Sequence, residues 1–179
     1  DYFERLEDFL NWINVYSRKI KFINSIDLIR WNLDKSYLQD FPKEYVVPSL
    51  FLTKNSQKSL REISTQKGWK ELIIKPSVSA AAWHTHRVST QNINEMELIF
   101  SNLKSSHKMI VQEFQESVLT SGEVSIMVFG GKYSHAVLKK SKKNDFRVQD
   151  DFGGTVSYYE PKKIEIDFAE KIVSLCPEK

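Results

Sequence analysis

The stretch VSIMVFGGKYSHAVLKKSKKNDFRVQDDFGGTVSYYE, residues 124–160, carries the clearest structural pattern in this chain. Two apolar segments at 124–129 and 133–138 are predicted strands, joined by a tight turn at Gly130 and Gly131. A basic run at 139–143 follows the second strand directly. The stretch therefore predicts an antiparallel strand pair that carries cations to one end, where an anionic ligand would be held.

Length and composition indicate a folded protein with either one core or two small subdomains. The chain has 179 residues, of which 41% are hydrophobic and 12% aromatic, with few glycines and prolines. The net charge is only +3, and the 26 basic and 23 acidic residues are interspersed. This balance argues against a dedicated nucleic-acid binder.

The cysteine count and the hydropathy pattern bear on the setting of the protein. Cys176 is the single cysteine, so an internal disulfide is impossible and a reducing, cytoplasmic compartment is expected. No segment reaches transmembrane length and no signal peptide is visible, so no membrane partner is expected. Because the chain starts at Asp1 rather than at methionine, we expect an internal fragment of a longer protein.

Apolar periodicity predicts both helices and strands along the chain. Helices are predicted at 2–16, 36–41, 56–67, 94–104 and 164–175, with Asp34 and Ser56 as capping residues and Gly68 and Pro42 as terminators. Further strands are predicted at 46–49, 72–76, 84–89, 109–114 and 155–159, and residues 116–122 are predicted to be a connection. Helices and strands alternate before Phe114 and strands dominate after it. The predicted fold is α+β, with mostly antiparallel sheets in two subdomains.

Two positions before residue 115 suit a nucleotide. Lys75 ends an apolar strand and precedes a run of small residues, where backbone can approach a phosphate closely. The strand that ends in Gln112, Glu113, Phe114 and Gln115 leaves backbone groups that can read the edge of a planar base. Taken alone, each signal also fits an ordinary surface lysine or an ordinary strand end.

The second half of the chain adds further candidates. Glu123 opens a strand and suits a ribose diol, while Lys139 ends the next strand. Arg147 can grip a phosphate or carboxylate, and Gly153 with Gly154 allows close backbone approach. A solvated loop and a surface hairpin remain the alternative interpretations.

Other catalytic patterns are absent or weak. His84 and His86 would face the same side of a strand, but two ligands without a third are poor evidence for a metal site. The sequence contains no phosphate-binding P-loop and nothing that resembles a Ser/His/Asp arrangement.

The order of these features resembles the ATP-grasp superfamily. The match is closest to the branch that is similar to prokaryotic glutathione synthetase, the ribosomal protein S6 modification ligase and the cycloserine-forming ligase. It covers the chain from about Trp31 to the C-terminus. Its most specific parts are WNLDK at 31–35, GEVS at 122–125, and FRVQ at 146–149 followed by the glycine pair at 153–154.

The resemblance implies roles for individual residues. Lys35 and Lys75 would contact ATP phosphates, and Glu123 would bind the ribose. In the hinge segment, residues 112–115, backbone groups of Glu113 and Gln115 would bind the adenine edge. Gln112 would lie near the exocyclic amine, and Phe114 would pack on the ring. Lys139 and Arg147 would be catalytic and face the phosphates and the acceptor, with Gly153 and Gly154 as a mobile flap.

The resemblance also implies an organisation and a chemistry. Residues 1–45 would be an N-terminal segment, 46–110 a small lid, and 111–179 the start of a larger core. The cofactors would be ATP and Mg²⁺, and the substrates a carboxylate and an amine on small molecules or peptides. Whether the full-length protein is a homo-oligomer stays open.

Two departures from the family pattern qualify this prediction. The loop after Lys75 is built from serine, valine and alanine without glycine, so it should be stiffer. The family's magnesium carboxylates would lie beyond the end of this chain, so we expect this piece to bind nucleotide poorly and not to catalyse. Two alternatives stay open: a non-catalytic, regulatory nucleotide-binding ATP-grasp domain, and an unrelated α+β interaction domain with an acidic partner.

Overall fold

The computed structural model describes residues 1–143 and 145–177. The chain forms two compact units, Asp1–Gln115 and Glu116–Lys179. Both are α+β with antiparallel sheets, which confirms the predicted fold class. The finer division at residues 45 and 110 stays a prediction.

The first unit contains four strands and four α-helices. Its helices are α1 (Leu6–Tyr16), α2 (Ile26–Leu33), α3 (Leu60–Lys67) and α4 (Ile93–Ser106), with short 3-10 helices at Lys35–Asp40 and Lys43–Tyr45. Its strands are β1 (Ser49–Leu52), β2 (Leu72–Pro76), β3 (His86–Val88) and β4 (Met109–Glu113). They form one antiparallel sheet in the order β1-β4-β2-β3.

One face of this sheet packs against α3 and α4. Strand β2 shows why, because Leu72 and Ile74 are buried while Ile73 and Lys75 alternate with them and are only half-buried. The core joins residues of the sheet and of both helices: Leu52, Leu60, Ile63, Leu72, Ile74, Phe100, Leu103, Met109 and Val111. Lys75 is therefore kept on the sheet face opposite to this core.

The second unit is built around the quoted stretch. A short helix, α5 (Ser117–Thr120), precedes β5 (Glu123–Phe129), β6 (Lys132–Lys140), β7 (Thr155–Tyr159) and α6 (Lys163–Ser174), with a 3-10 turn at Asp150–Phe152. The strands form an antiparallel sheet in the order β5-β6-β7. Gly130 and Gly131 have φ of +55° and +77°, as a tight hairpin turn requires, so the predicted hairpin is confirmed.

Several predicted boundaries are wrong for identifiable physical reasons. Helix α3 begins at Leu60 rather than at residue 56, because Ser59 and not Ser56 forms the capping box with Glu62. Strand β1 begins at Ser49 because the segment before Pro48 ends a 3-10 turn. The predicted connection at 116–122 contains helix α5.

Helix α2 was not predicted from the sequence. Its N-cap is Ser25, whose hydroxyl accepts a hydrogen bond from the backbone N–H of Leu28 at 3.1 Å. The helix has eight residues and a single buried side chain, Leu33, so its apolar periodicity is too short to recognise.

Candidate functional site

Lys35 lies at the start of the 3-10 helix Lys35–Asp40 and contacts the loop that follows β2. Its ammonium donates hydrogen bonds to the backbone oxygen of Ser79 and to the Ser79 hydroxyl. Its backbone N–H donates to the carbonyl of Ser77 at 2.8 Å. Burial lowers the pKa of Lys35, and the neighbouring Asp34 carboxylate partly offsets that effect. The structure therefore holds the Lys35 ammonium against the loop that follows Lys75.

Asp34 is fixed in place by hydrogen bonds. Its carboxylate accepts the backbone N–H of Ser36 at 2.9 Å, which confirms the predicted capping role. Burial by itself would raise the pKa of Asp34, but its hydrogen bonds with Ser36 and Ser77 and the charge of Lys108 bring that pKa below its ordinary value. Asp34 is thus an ionised anchor beside Lys35.

Lys75 lies near the end of β2, opposite Ile110 of β4 in the strand register. The loop between β2 and β3, residues 77–85, follows it directly. We call this segment the β2–β3 loop. Its first half has buried serines at 77 and 79, which matches the small side chains that the sequence pattern required. Lys35 and the loop after Lys75 are brought together within the first unit.

The hinge segment is held firmly by neighbouring strands. Gln112 is buried, and its side-chain amide donates to the hydroxyl of Ser49 at 2.7 Å. The backbone N–H of Glu113 donates to the carbonyl of Pro48 at 3.0 Å. The side-chain amide of Gln112 thus anchors β4 to β1, and its place near the exocyclic amine stays a prediction.

Phe114 and Gln115 complete the hinge segment at the end of the first unit. The N–H of Phe114 donates to the carbonyl of Glu71 at 3.0 Å, and the guanidinium of Arg87 lies 4.0 Å from the Phe114 ring centroid. The Gln115 side chain donates to the carbonyl of Glu113 at 3.3 Å. This last bond is long and comes from a flexible side chain, so the Glu113 carbonyl can exchange it for a ligand donor.

In the second unit, Glu123 and Lys139 are neighbours. They are Cα partners on β5 and β6, and the Lys139 ammonium lies 3.6 Å from the Glu123 carboxylate. Gly122 precedes them with φ of +88°, and a methyl group there would lie 2.5 Å from the carbonyl oxygen of Lys139. The register of β5 against β6 thus brings the predicted ribose and phosphate residues into one ion pair.

Arg147 is held by two partners within its own segment. Its Nε and Nη2 atoms donate to the Asp145 carboxylate at 3.0 and 2.7 Å. Its guanidinium carbon lies 3.6 Å from the centroid of the Phe152 ring. The bond to Asp145 raises the pKa of Arg147 and brings the pKa of Asp145 down to about 2. Arg147 is therefore a fully charged, pre-oriented group.

The glycine pair differs in what each residue contributes. Gly153 has φ of +78° and ends the 3-10 turn Asp150–Phe152. At Gly154 a methyl group would lie 2.3 Å from the carbonyl oxygen of Val148. The predicted flap is thus packed tightly against the segment after Arg147. Its mobility stays a prediction.

Sequence reasoning missed the contacts of three residues that shape the candidate site. Ser79 receives the Lys35 ammonium, Asp145 orients Arg147, and Arg87 covers Phe114. Asp145 carried a readable signal, since a carboxylate two positions before an arginine can reach it. Ser79 and Arg87 carried none, because their partners lie far away in the sequence.

A search for metal ligands and for membrane spans among residues 1–143 and 145–177 gives two findings. No group of three or more His, Cys, Asp or Glu side chains comes together there in a way that could hold a metal ion. None of the helices in these residues is both long and apolar enough to span a bilayer.

Comparison with known proteins places this geometry in a family. The family model for the prokaryotic glutathione synthetase ATP-grasp domain matches residues 34–178. The cycloserine biosynthesis protein DcsG of Streptomyces lavendulae is 28% identical over 143 residues, covering 76% of this chain and 48% of that protein.

Solved structures show the same fold. The crystal structure of the D-cycloserine synthetase DcsG superposes with a TM-score of 0.85 at 22% identity, over 98% of this chain and 61% of that one. The D-alanine–D-alanine ligase from Bacillus anthracis gives a TM-score of 0.57 at 15% identity, over 81% of this chain and 47% of that one. The chain therefore spans between about half and three fifths of the length of these relatives. From the match over residues 34–178, this chain belongs to the ATP-grasp domain family of prokaryotic glutathione synthetase.

Proposed function

We propose that the full-length protein is an ATP-dependent ligase that joins a carboxylate to an amine through an acyl phosphate. The observation that carries this proposal is the family match over residues 34–178, which spans every residue that we assign to the nucleotide. Substrates similar to those of glutathione synthetase would be a more specific proposal than this one. The carboxylate and the amine can belong to small molecules or to peptides.

In the first unit, we propose that Lys75 and Lys35 neutralise ATP phosphates and that the backbone of the β2–β3 loop approaches them. The half-buried position of Lys75 beside this loop supports its role. Lys35 already donates to Ser79 of the loop, and its ammonium has three hydrogens to share. An ammonium near several phosphate oxygens acts by charge, so its exact direction is not critical.

We propose that the hinge segment reads adenine with main-chain groups, with Gln112 near the exocyclic amine. The Glu113 carbonyl, which accepts the long bond from the Gln115 side chain, would exchange that bond for one from the exocyclic amine of the base. The Gln115 backbone N–H would donate to the ring nitrogen beside that amine. Phe114, with Arg87 stacked on one face, would supply an apolar wall.

In the second unit, Glu123 would accept hydrogen bonds from the ribose hydroxyls, while Lys139 and Arg147 would neutralise charge near the transferred phosphoryl group. Glu123 and Lys139 already form an ion pair with each other, which supports this proposal. A bound nucleotide would either displace that ion pair or contact both of its side chains. The grip of Asp145 on Arg147 supports pre-orientation, which lowers the cost of organising the transition state.

The proposed reaction has two steps. A carboxylate oxygen attacks the γ-phosphorus of ATP, the bond to the β–γ bridging oxygen breaks, and ADP leaves. The amine nitrogen then attacks the acyl carbon, loses a proton and expels inorganic phosphate. The protein contributes positioning and charge neutralisation. We assign no Mg²⁺ ligand to the described residues and no step to the ion, although family members are expected to use it.

The test follows oxygen transfer in the full-length protein. With a carboxylate substrate labelled with ¹⁸O, the proposed route moves one labelled oxygen into the inorganic phosphate that is released with ADP. Label that stays entirely in the carboxyl product, or release of AMP and pyrophosphate, would contradict the acyl phosphate. ATP binding without turnover for any carboxylate–amine pair would favour the regulatory, non-catalytic alternative.

The 179-residue chain alone provides a second test. We predict weak nucleotide binding and no ligation from this piece. A thermal shift titration with ADP and a coupled assay for ADP release measure the two properties separately. Ligation by the isolated chain would show that the catalytic groups are all present within it.

A further inference from the structure

The β2–β3 loop has an unusual backbone for a segment without glycine. Ala81, Ala82 and His84 have φ of +48°, +55° and +49°. Side chains with a Cβ atom rarely adopt this left-handed region, because the Cβ approaches the backbone too closely. A loop with three such residues keeps its shape only if the surroundings impose it.

The first half of the loop is fixed by polar contacts. The N–H of Ser77 donates to the carbonyl of Lys108 at 2.9 Å, and the Ser79 hydroxyl donates to the carbonyl of Pro76 at 3.0 Å. The carbonyl of Ser79 accepts from the Tyr2 hydroxyl at 3.3 Å and from the Lys35 ammonium. These bonds act before the strained residues begin, so they do not explain the shape of the loop tip.

The tip is fixed by Trp83. Its backbone N–H donates to the carbonyl of Ala80 at 2.8 Å, and the N–H of Thr85 donates to the carbonyl of Ala82 at 2.9 Å. These two consecutive turns require the left-handed residues between them. The indole of Trp83 gives this tip contacts with residues outside the loop.

The indole of Trp83 is held by rings from three segments. Its centroid lies 5.3 Å from Phe3 of the N-terminal turn and 5.4 Å from His107, with an edge-on angle of 86° to the His107 ring. The ring of His84, next in the loop, lies 4.2 Å away. Edge-on and tilted aromatic pairs at these separations are favourable. We call Phe3, Trp83 and His107 the aromatic latch.

We propose that Trp83 is a positioning residue: the aromatic latch holds the β2–β3 loop in its left-handed shape, and that shape sets the affinity for nucleotide phosphates. The inference rests on the proposed function, in which the loop backbone approaches the phosphates. A loop that is ordered before binding loses less conformational freedom when the ligand arrives. A glycine-rich loop would be flexible before binding. The aromatic latch therefore keeps this loop, which has no glycine, in a preformed shape.

The test compares Trp83→Ala with Trp83→Phe in the full-length protein. We expect Trp83→Ala to raise the Kd for ADP with Mg²⁺ by about tenfold or more, because the loop must then be ordered at the expense of binding energy. Trp83→Phe keeps a ring between Phe3 and His107 and should stay within about threefold of the original protein. Phe129→Ala removes an exposed ring of β5 in the second unit, outside the latch, and serves as the control.

A second measurement reports the loop directly. Backbone amide hydrogen exchange of residues 77–85 should accelerate in Trp83→Ala, without nucleotide, while β2 and β4 keep their protection. If Trp83→Ala proves too unstable, the Ala81→Gly/Ala82→Gly variant, which keeps the latch, tests the other half of the inference, that the preformed loop shape sets the affinity. Glycine accepts φ above zero, so we expect a higher melting temperature but faster exchange in the loop and weaker ADP binding.

The outcomes separate the two proposals. Failure of the original protein to bind ADP would overturn the proposed function, and with it the affinity part of this inference. If the original protein binds ADP, an unchanged Kd and unchanged loop exchange in Trp83→Ala would overturn the latch alone. Equal weakening by Trp83→Ala and Trp83→Phe would also contradict it, because the ring itself would not be what matters.

Discussion

Arg147 and Asp145 form a two-point ion pair across a single intervening residue. The Nε and Nη2 atoms of Arg147 donate to the two carboxylate oxygens of Asp145 at 3.0 and 2.7 Å. The same carboxylate also accepts the backbone N–H groups of Phe146 and Arg147, at 2.7 and 3.0 Å. One acid thereby shapes the backbone and aims the guanidinium that we assign to the phosphoryl group.

This pair predicts a pH-dependent contribution to stability. The pKa of Asp145 is about 2 in the folded chain, below its ordinary value of 3.8, chiefly because of the side-chain hydrogen bond from Arg147. A lowered carboxyl pKa stabilises the fold above the ordinary value, and the gain disappears as the pH falls from about 4 towards 2. Urea unfolding of Asp145→Asn should show a deficit of about 1 kcal/mol at pH 6 that shrinks by pH 2.5.

Asp151→Asn is the matched control, since Asp151 is an exposed acid in the same segment. Its unfolding free energy should follow that of the original chain at both pH values. An Asp145→Asn deficit that stays constant with pH would show that the amide disrupts the turn rather than removes a charge.

The Lys75 side chain predicts a loss of nucleotide affinity in the full-length protein. A charge-assisted bond from an ammonium to phosphate contributes roughly 1.5–3 kcal/mol, so Lys75→Ala should raise the Kd for ATP by about tenfold to a hundredfold. Lys70→Ala removes an exposed lysine just before β2 and should leave the Kd unchanged. Isothermal titration measures both, and equal affinities for the two variants would remove Lys75 from the site.

Gly154 predicts a steric cost in the second unit. A methyl group there would lie 2.3 Å from the carbonyl oxygen of Val148 and 2.9 Å from that of Gln149, and backbone atoms cannot move aside cheaply. Gly154→Ala should therefore lower the unfolding free energy by about 2–3 kcal/mol. Chemical denaturation followed by circular dichroism measures this loss.

Gly131→Ala separates steric overlap from backbone strain. Gly131 has φ of +77°, but a methyl group there meets no atom within 4 Å. Gly131→Ala should lower the unfolding free energy by only about 1 kcal/mol, the cost of placing an alanine in the left-handed backbone region. A Gly154→Ala variant no less stable than Gly131→Ala would mean that the segment after Arg147 is free to shift, as a mobile flap would be.

Helix α3 predicts that one of two nearby serines matters for stability. Ser59 accepts the backbone N–H of Glu62 at 3.2 Å, while Ser56 lies outside the helix with a bond of 3.4 Å to Lys58. Ser59→Ala should cost about 1 kcal/mol, as the loss of an N-cap usually does, and Ser56→Ala should cost almost nothing. Thermal unfolding of the two variants compares them directly, and a reversed order would restore residue 56 as the start of the helix.

Much of the fold could be predicted because its signals are local. The hairpin of β5 and β6 followed from alternating apolar residues around Gly130 and Gly131, and helix α4 followed from its apolar spacing. The predicted helix boundary was wrong where two neighbouring residues could both act as a cap, as Ser56 and Ser59 show. Helix α2 was not predicted because it buries a single side chain, Leu33, and therefore carries almost no periodic signal.

The candidate site also has a part that could be predicted from the sequence and a part that could not. Residue type and position were enough to select Lys75, the hinge segment and Arg147 as candidates, whereas Lys35 was selected only through the resemblance to the ATP-grasp superfamily. The engagement of Lys35 with Ser79, and of Gln112 with Ser49, was invisible. Those partners are separated by tens of residues, and only folding brings them within hydrogen-bonding distance.

Local chemistry thus specified the fold class, because turns, caps and apolar periods act within a few residues, and the order of the motifs indicated the family by resemblance. The quoted stretch at 124–160 shows both sides of this. Its strands and glycines could be recognised from the sequence alone, whereas the pairing of Glu123 with Lys139 depends on strand register. The left-handed β2–β3 loop depends on rings contributed by Phe3 and His107. Contacts between distant segments decide which donors remain available to a ligand, and only tertiary packing sets them.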